Sequence, residues 1–367
     1  MFAWNEEKVI ARALRSLLAQ SLFLDSSRPR PKCELLCIVN GSTDGTARIA
    51  ETTLAEYRPT LESGNLRCRV VRLAQRGKLN AWNQFVHVLS AREARYLFMM
   101  DADIVFEEKT TLANMLQVLE DDPDACVAVD RPLKDIASKP RKGLRERLSL
   151  AASQATQAAQ AQLCAQLYGI RAATARNIYL PRDLPACEDG FIKALVCTDF
   201  LAHPVWPRRI RLAPGAAHRF EAYTSPAALL RNQKRQILGQ TVVHLLVDEY
   251  VKSLPTPQRQ ALAQTLGHKD QTDPAWLRRL IAGHLRRVRF CWRLHPGLLS
   301  RHFRRLAAAR GSDAPLAWVA ALANLMASLL ASWLAWRSLK RGAIDYWPQA
   351  SRSPQCQNAQ CLMPNAQ

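Results

Sequence analysis

The sequence predicts an α/β fold, a mostly parallel sheet flanked by helices, followed by a basic helical C-terminal extension. Three observations predict it. Over residues 1 to about 130, short apolar runs alternate with amphipathic helices, the pattern of a parallel sheet covered on its faces. Tyr96-Leu97-Phe98-Met99-Met100 is too short and too apolar for a surface helix and reads as a central strand. Beyond about residue 251 the composition turns strongly basic, and much of the formal charge of +20 falls there. With 48% hydrophobic residues in 367, the chain can bury a sizeable core, which excludes a disordered or fibrous protein.

Taken in order, Ile10, Leu14 and Leu17 form the first helical stripe, and Leu35 to Val39 is a strand. Gly41-Ser42-Thr43-Asp44-Gly45-Thr46 follows, its hydroxyls and carboxylate suited to start a helix bearing Ala47, Ala50 and Leu54. Val70 to Leu73 is a third apolar stretch. Gly77-Lys78 then opens a helix with Leu79, Trp82, Val86 and Leu89 on one side. After Tyr96 to Met100 come a helix (Leu112, Met115, Leu116, Leu119) and a strand from Ala125 to Val129. The second half opens on an Ala/Gln-rich helix from about Leu148 to Leu167, and a Pro-punctuated stretch leads to Cys187-Glu188-Asp189-Gly190. A helix from Phe191 to Val196 is expected next, then a long one starting at Pro226 and running through Arg235 toward Val247. Thr272-Asp273-Pro274 opens a basic helix with Leu277, Leu280, Ile281, Val288 and Trp292 on one side. The resulting organisation is an α/β domain over 1–250, a basic helical region over 251–312, an apolar helix over 313–340 suited to membrane association and a polar tail over 341–367.

The ten cysteines lack the regular framework of a small secreted domain, and no Cys-x-x-Cys pair suggests zinc. No basic region followed by an apolar stretch opens the chain, so the α/β domain is expected to face the cytoplasm.

Asp101 and Asp103 carry the strongest chemical signal, because two carboxylates stand where a buried strand ends. In open parallel sheets ligands bind just outside that edge. Mg²⁺ or Mn²⁺ takes oxygen ligands, one or two carboxylates plus phosphate, and would neutralise charge on a departing diphosphate. An ordinary acidic loop is the competing reading.

Five segments in order resemble the family-2 glycosyltransferases of GT-A fold: Ala3-Trp4-Asn5-Glu6-Glu7, Val39 to Thr46, Gly77-Lys78-Leu79-Asn80-Ala81-Trp82-Asn83, Asp101-Ala102-Asp103 and Glu188-Asp189-Gly190. The resemblance implies an inverting, hexosyltransferase-like enzyme that moves a sugar from a nucleotide-sugar, UDP-linked by preference, to an acceptor hydroxyl. It implies Ala3, Glu6 and Asn40 lining the nucleoside pocket, Lys78 near base or diphosphate, Asp101 near ribose and Asp103 on the metal. Asn40 to Thr46 as a plain turn with a helix cap, and Lys78 as an exposed first-turn lysine, are the competing readings. Asp189 would be the base that deprotonates the acceptor, with Glu188 orienting it. Both acids also suit the N-terminal dipole of the following helix.

Arg235 matches the arginine of the Gln-x-x-Arg-Trp motif in processive relatives, but Gln236 replaces the tryptophan, which points to transfer of a single sugar. Two further departures are the short Met1-Phe2-Ala3-Trp4 run before Asn5 and an amide at Asn40 where many relatives have aspartate.

Leu316 to Trp336 is an uncharged stretch of 21 residues, long enough to cross a bilayer core of about 30 Å, with Trp318 and Trp336 as candidate interfacial anchors. Basic residues flank both ends, which equally permits a helix lying in the cytoplasmic face. A lipid-linked or saccharide acceptor at the inner membrane, in glycolipid or envelope-polysaccharide synthesis, is therefore expected. Nucleic acid is the less favoured partner. The competing function is a catalytically inactive GT-A-like basic protein that binds a membrane surface or nucleic acid.

Overall fold

The computed structural model describes residues 1–24, 31–62, 66–138, 162–185, 187–222, 225–294 and 314–342. Strands β1 (Phe2–Ala3), β2 (Cys33–Asn40) and β3 (Leu66–Leu73) form a parallel sheet in that spatial order. Strands β4 (Tyr96–Met100), β5 (Val105–Phe106), β6 (Val127–Lys134), β7 (Leu167–Arg171) and β8 (Ile210–Phe220) form a second sheet, ordered β4-β7-β6-β8-β5. A parallel bridge between Phe2 and Asp101, with Ala102 N donating to Phe2 O at 3.1 Å, joins the sheets at the end of β4.

The second sheet is mixed: β6 runs parallel to β8, whereas β7 is antiparallel to β4 and β6, and β5 to β8. The expected strands at Val70 and Ala125 are present with extended or shifted bounds, and β5, β7 and β8 are additions to the sequence reading. Of the helix expected from Leu148 to Leu167, residues 148–161 lie outside the described residues, and Leu167 instead begins β7.

Two apolar cores cover opposite faces of the sheets. On β2 the side-chain period of two sends Leu36 and Ile38 to one core and Leu35, Cys37 and Val39 to the other. The second core is closed by Ile10, Leu14 and Leu17 of the Ile10–Leu18 helix and by Leu112, Met115 and Leu119 of the Thr111–Asp121 helix. The first core runs from Phe2, Trp82 and Tyr168 through Phe191 and Leu245 to Leu266, Ile281 and Ala335. The basic C-terminal helices are thus built onto the same hydrophobic body as the sheets.

The helix expected from Phe191 starts three residues earlier and spans Glu188–Cys197, so both acids lie in its first turn, as their fit to the helix dipole suggests. The long helix starts at Pro226, where Ser225 Oγ accepts from Ala228 N at 3.2 Å, and reaches His244 before a wider turn over Leu245–Tyr250. The basic helix is Trp276–Arg287; Val288 and Trp292 fall beyond it, Trp292 in the turn Cys291–Arg293. The last helix, Ala314–Lys340, packs along Pro226–His244. Among the described residues no helix is long and apolar enough to cross a membrane.

Deep in the first core, Trp82 Nε1 donates to Tyr168 Oη at 2.7 Å. Tyr168→Phe would strand that indole N–H in a site closed to water. We expect a loss of about 1–3 kcal/mol, read as a lower urea midpoint with unchanged slope.

Candidate active site

The ends of β1, β2 and β4 meet at one rim, and the chain beyond β1 is stitched to the chain beyond β2. Asn5, at φ 53°, donates its N–H to Ser42 Oγ at 3.0 Å, and its Oδ1 accepts from Thr43 N at 2.8 Å. Glu6 N donates to Thr46 Oγ1 at 2.7 Å, and Glu7 Oε2 accepts from Gly45 N at 2.9 Å. Much of the Val39 to Thr46 motif is therefore loop-fixing chemistry. Gly41 is required for two reasons: its φ is 66°, and a Cβ would lie 2.9 Å from Arg76 Cα.

This packing leaves a cavity of about 420 Å³ whose wall includes Glu6, Asn40, Lys78, Asp101 and Asp103. Asn40 is buried at the wall, and its amide engages the backbone on both sides: Nδ2 donates to Ala3 O at 3.0 Å, and Oδ1 accepts from Gly77 N at 3.1 Å. Ala3 has its side chain in the core and meets the site through that carbonyl. At the cavity mouth the Arg76 guanidinium lies 3.5 Å from the centroid of the Trp4 ring.

Lys78 is not an exposed first-turn lysine. Only 8% exposed, it sends its ammonium to Asp101 Oδ1 at 2.6 Å, Glu188 Oε1 at 3.1 Å and Ala165 O at 3.2 Å. One cation thus joins the acidic end of β4 to the acidic helix start at Glu188, which is itself 2% exposed. Burial alone would drive the Lys78 pKa down; the Asp101 and Glu188 carboxylates overcome that and hold it above the ordinary lysine value.

Burial pushes Asp101 up to about 7 against the pull of Lys78. Burial also raises Asp103, with Lys78 and His218 pulling the other way. Asp189, one residue from Glu188, is raised by burial and then by the Glu188 charge, while Lys78 and Arg235 oppose the shift. Asp189 Oδ1 accepts from Gly190 N at 2.8 Å, and Arg235 Nη2 donates to Asn232 Oδ1 at 3.0 Å. Glu188, Asp189 and Arg235 are not on the wall of the 420 Å³ cavity; Glu188 contacts Lys78, Asp189 feels its charge, and Arg235 acts in turn on Asp189.

A second buried pair stands beside Asp103. His218 Nδ1 lies 2.7 Å from Asp130 Oδ2, both side chains are closed to solvent, and His218 Nε2 faces Gln166 Oε1 at 3.4 Å. Gln166 also accepts from Asp101 N through its carbonyl at 2.8 Å. Cys164, pushed up to about 12 by burial, sits at the other end of this segment with Sγ 3.5 Å from Gln166 Oε1. The sequence reading missed His218, Asp130 and Gln166. His218 falls on β8, whose Pro and Gly break the alternation that would have marked a strand.

A parallel sheet β1-β2-β3, joined at the end of β4 to a mixed sheet whose strand β8 carries the buried His218, is a fold of the GT-A type. Residues 1–178 match the model of glycosyl transferase family 2. A comparison with curated proteins finds no match. Among solved structures, a mannosyltransferase, PcManGT from Pyrobaculum calidifontis, in complex with GDP-Man and Mn²⁺, is similar with a TM-score of 0.50 and 19% identity, over 91% of this chain and 84% of that one. Glucosyl-3-phosphoglycerate synthase from Mycobacterium tuberculosis, in complex with Mn²⁺, UDP-Glc and phosphoglyceric acid, gives a TM-score of 0.40 and 15% identity over 64% of this chain and 75% of that one.

Removing one partner of a buried charge cluster leaves the others uncompensated. Lys78→Met is expected to destabilise by about 3–5 kcal/mol, and adding Glu188→Gln should recover part of that loss in denaturant melts. The three raised aspartates also set a pH dependence. Between the ordinary carboxylate value and about 7 the folded chain holds more of these protons than the unfolded chain does, so stability falls as pH rises through that window. Thermal melts of the metal-free protein should show this fall ending near the Asp101 value of about 7, and Asp101→Asn should flatten it.

Proposed function

We propose that the chain transfers a sugar from a nucleotide-sugar, UDP-linked by preference, to an acceptor hydroxyl with inversion at the anomeric carbon. The observation that carries the reading is Lys78, whose ammonium contacts both Asp101 and Glu188 and so holds the donor-side acids and the acceptor-side acids in one assembly. The cavity beside Asp101 and Asp103 takes the donor, with Glu6 and Asn40 at the nucleoside end.

The donor set fits Mg²⁺ or Mn²⁺. Asp103 offers hard carboxylate oxygen in a site whose burial makes an uncompensated negative charge unfavourable. Among the described residues no group of three His, Cys, Asp or Glu could hold a metal, which suits a cation that completes its shell with substrate phosphates and water. Such a cation, when bound, offsets charge on the leaving diphosphate.

Asp189 takes the acceptor proton as the acceptor oxygen bonds to the anomeric carbon and the bond to the diphosphate oxygen breaks. A raised carboxylate pKa brings this base nearer the working pH, and Glu188, held by Lys78, fixes the helix start from which Asp189 projects. Arg235 sits close enough to Asp189 to favour its ionised form. Gln236, exposed on the same helix, offers no ring for a growing chain to stack on, which favours transfer of one sugar. The basic C-terminal half suits an acceptor held at the inner membrane, lipid-linked or a saccharide, in glycolipid or envelope-polysaccharide synthesis, with the catalytic domain on the cytoplasmic side.

The test is nucleoside diphosphate release from separate nucleotide-sugars with Mn²⁺. Asp189→Asn is expected to lose about 10²–10⁴-fold in turnover while retaining donor binding. Asp103→Ala should lose turnover together with Mn²⁺-dependent donor binding. Wild-type turnover in both variants would remove Asp103 and Asp189 from these roles, and no release with any donor would favour the inactive basic protein.

A further inference from the structure

We infer that the Ala314–Lys340 helix is an in-plane membrane anchor, which docks the protein on an anionic lipid surface through the face opposite its packing face. The helix is polarised by residue size. Its buried positions are small: Ser328, Ala331, Ser332 and Ala335, with Leu339 completing the row. Ser328 accepts from Gln233 Nε2 at 2.6 Å, which fixes this row against the Pro226–His244 helix. At 100° per residue, Leu322, Met326, Leu330 and Trp333 fall within one narrow sector on the far side. These large residues are the exposed ones, at 58%, 60%, 46% and 42%. Four large apolar side chains in one row form a contiguous patch and not scattered surface leucines.

The occupant follows from charge and from the neighbours of the stripe. Residues 251–341 hold sixteen Lys and Arg against three Asp, a net of +13 out of the +20 of the whole chain. At the C-terminal end of the stripe, the Arg337 guanidinium lies 5.4 Å from the Trp333 ring centroid, and Lys340 Nζ lies 3.8 Å from that of Trp336. The turn Cys291–Arg293 packs against the same helix, and next to it Phe290 and Trp292, exposed and stacked with centroids 4.6 Å apart, stand between Arg289 and Arg293. Apolar and aromatic groups edged by cations match the boundary between acyl chains and anionic headgroups. A second copy of this chain would place two such cationic rims together, so self-association is disfavoured by the same charges. Because the packing face is occupied by protein, the helix presents one side to lipid and lies in the interface without crossing.

The docking inference stands apart from the catalytic reading, which it deepens by setting where the acceptor arrives. The Pro226–His244 helix meets the anchor at Gln233 and carries Arg235, which acts on Asp189, so one helix links the lipid-facing element to the proposed base.

Flotation of the full chain with vesicles of phosphatidylcholine alone, and of phosphatidylcholine containing phosphatidylglycerol, tests it. Wild type is expected to float with the anionic vesicles, less well at about 0.5 M salt, where the Debye length shrinks to a few ångströms. Met326→Gln with Leu330→Gln should weaken this by about tenfold or more, the loss of two apolar insertions, with an unchanged melting temperature because both side chains are exposed. Quenching of tryptophan fluorescence by brominated lipid should fall in Trp333→Phe. Asp189→Asn should float as wild type does, which separates docking from catalysis. Wild type left unbound by anionic vesicles, stripe variants that float equally well, a dimer in sedimentation that the stripe variants dissociate, or preferential binding to duplex nucleic acid would each overturn the inference.

Discussion

The ammonium of Lys78, buried between Asp101 and Glu188, is the interaction on which the site depends. Two carboxylates from distant parts of the chain stay ionised in a dry location only with a cation between them, because each loses its hydration there. Lys78 supplies that cation from the first turn of its own helix, and Gly77, at φ 137°, turns the chain into that helix. Helix, strand end and acidic helix start are thereby fixed by one group. The balance is incomplete, since one lysine faces two contacting acids with Asp103 and Asp189 nearby, and burial leaves three aspartates with raised pKa values. A site poised in this way has electrostatic free energy to gain from a further cation. That need is the physical link between an acid-rich rim and a metal-dependent donor.

A second consequence concerns which motif residues touch ligand and which hold the rim. Asn5, Glu7, Ser42, Asp44 and Thr46 are occupied by one another and by loop backbone. Asn40 is likewise held between Ala3 O and Gly77 N, so it shapes the wall by locking β1 to the turn before Lys78. Motif membership therefore divides into groups that face the cavity and groups that make the cavity possible.

Much of this was legible in the sequence because the first half repeats a simple rule. Apolar runs ending in short polar motifs mark strands that deliver side chains to one rim, and Asp101-Ala102-Asp103 and Gly77-Lys78 fell where that rule puts them. The Lys78 pairing was not legible, because 110 positions separate it from Glu188 and only the fold brings them together. Strands β7 and β8 were missed for local reasons. Leu167-Tyr168-Gly169-Ile170-Arg171 is short and has a glycine where a Cβ would meet the Phe98 ring at 2.8 Å, and β8 contains Pro214-Gly215. With β8 went His218, whose burial against Asp130 depends on a parallel pairing across a register shift near Asp130.

In the C-terminal helix the order of residues adds to what composition says of an apolar segment. Counted as a string, Leu316 to Trp336 has the length and lack of charge of a bilayer span. Its order carries a different message, because among the described side chains Ser328, Ala331, Ser332 and Ala335 are buried while Leu322, Met326, Leu330 and Trp333 are exposed. Small residues allow close approach to Pro226–His244, and Ser328 and Ser332 satisfy their hydroxyls at Gln233 and within the helix. A face packed in this way is committed to protein, and what remains for the outside is a narrow row of large side chains. The described residues 251–294 and 314–341 hold twelve Lys and Arg against two Asp, a net of +10, so on the docking proposal apolar contact and electrostatic attraction draw the protein toward one kind of surface.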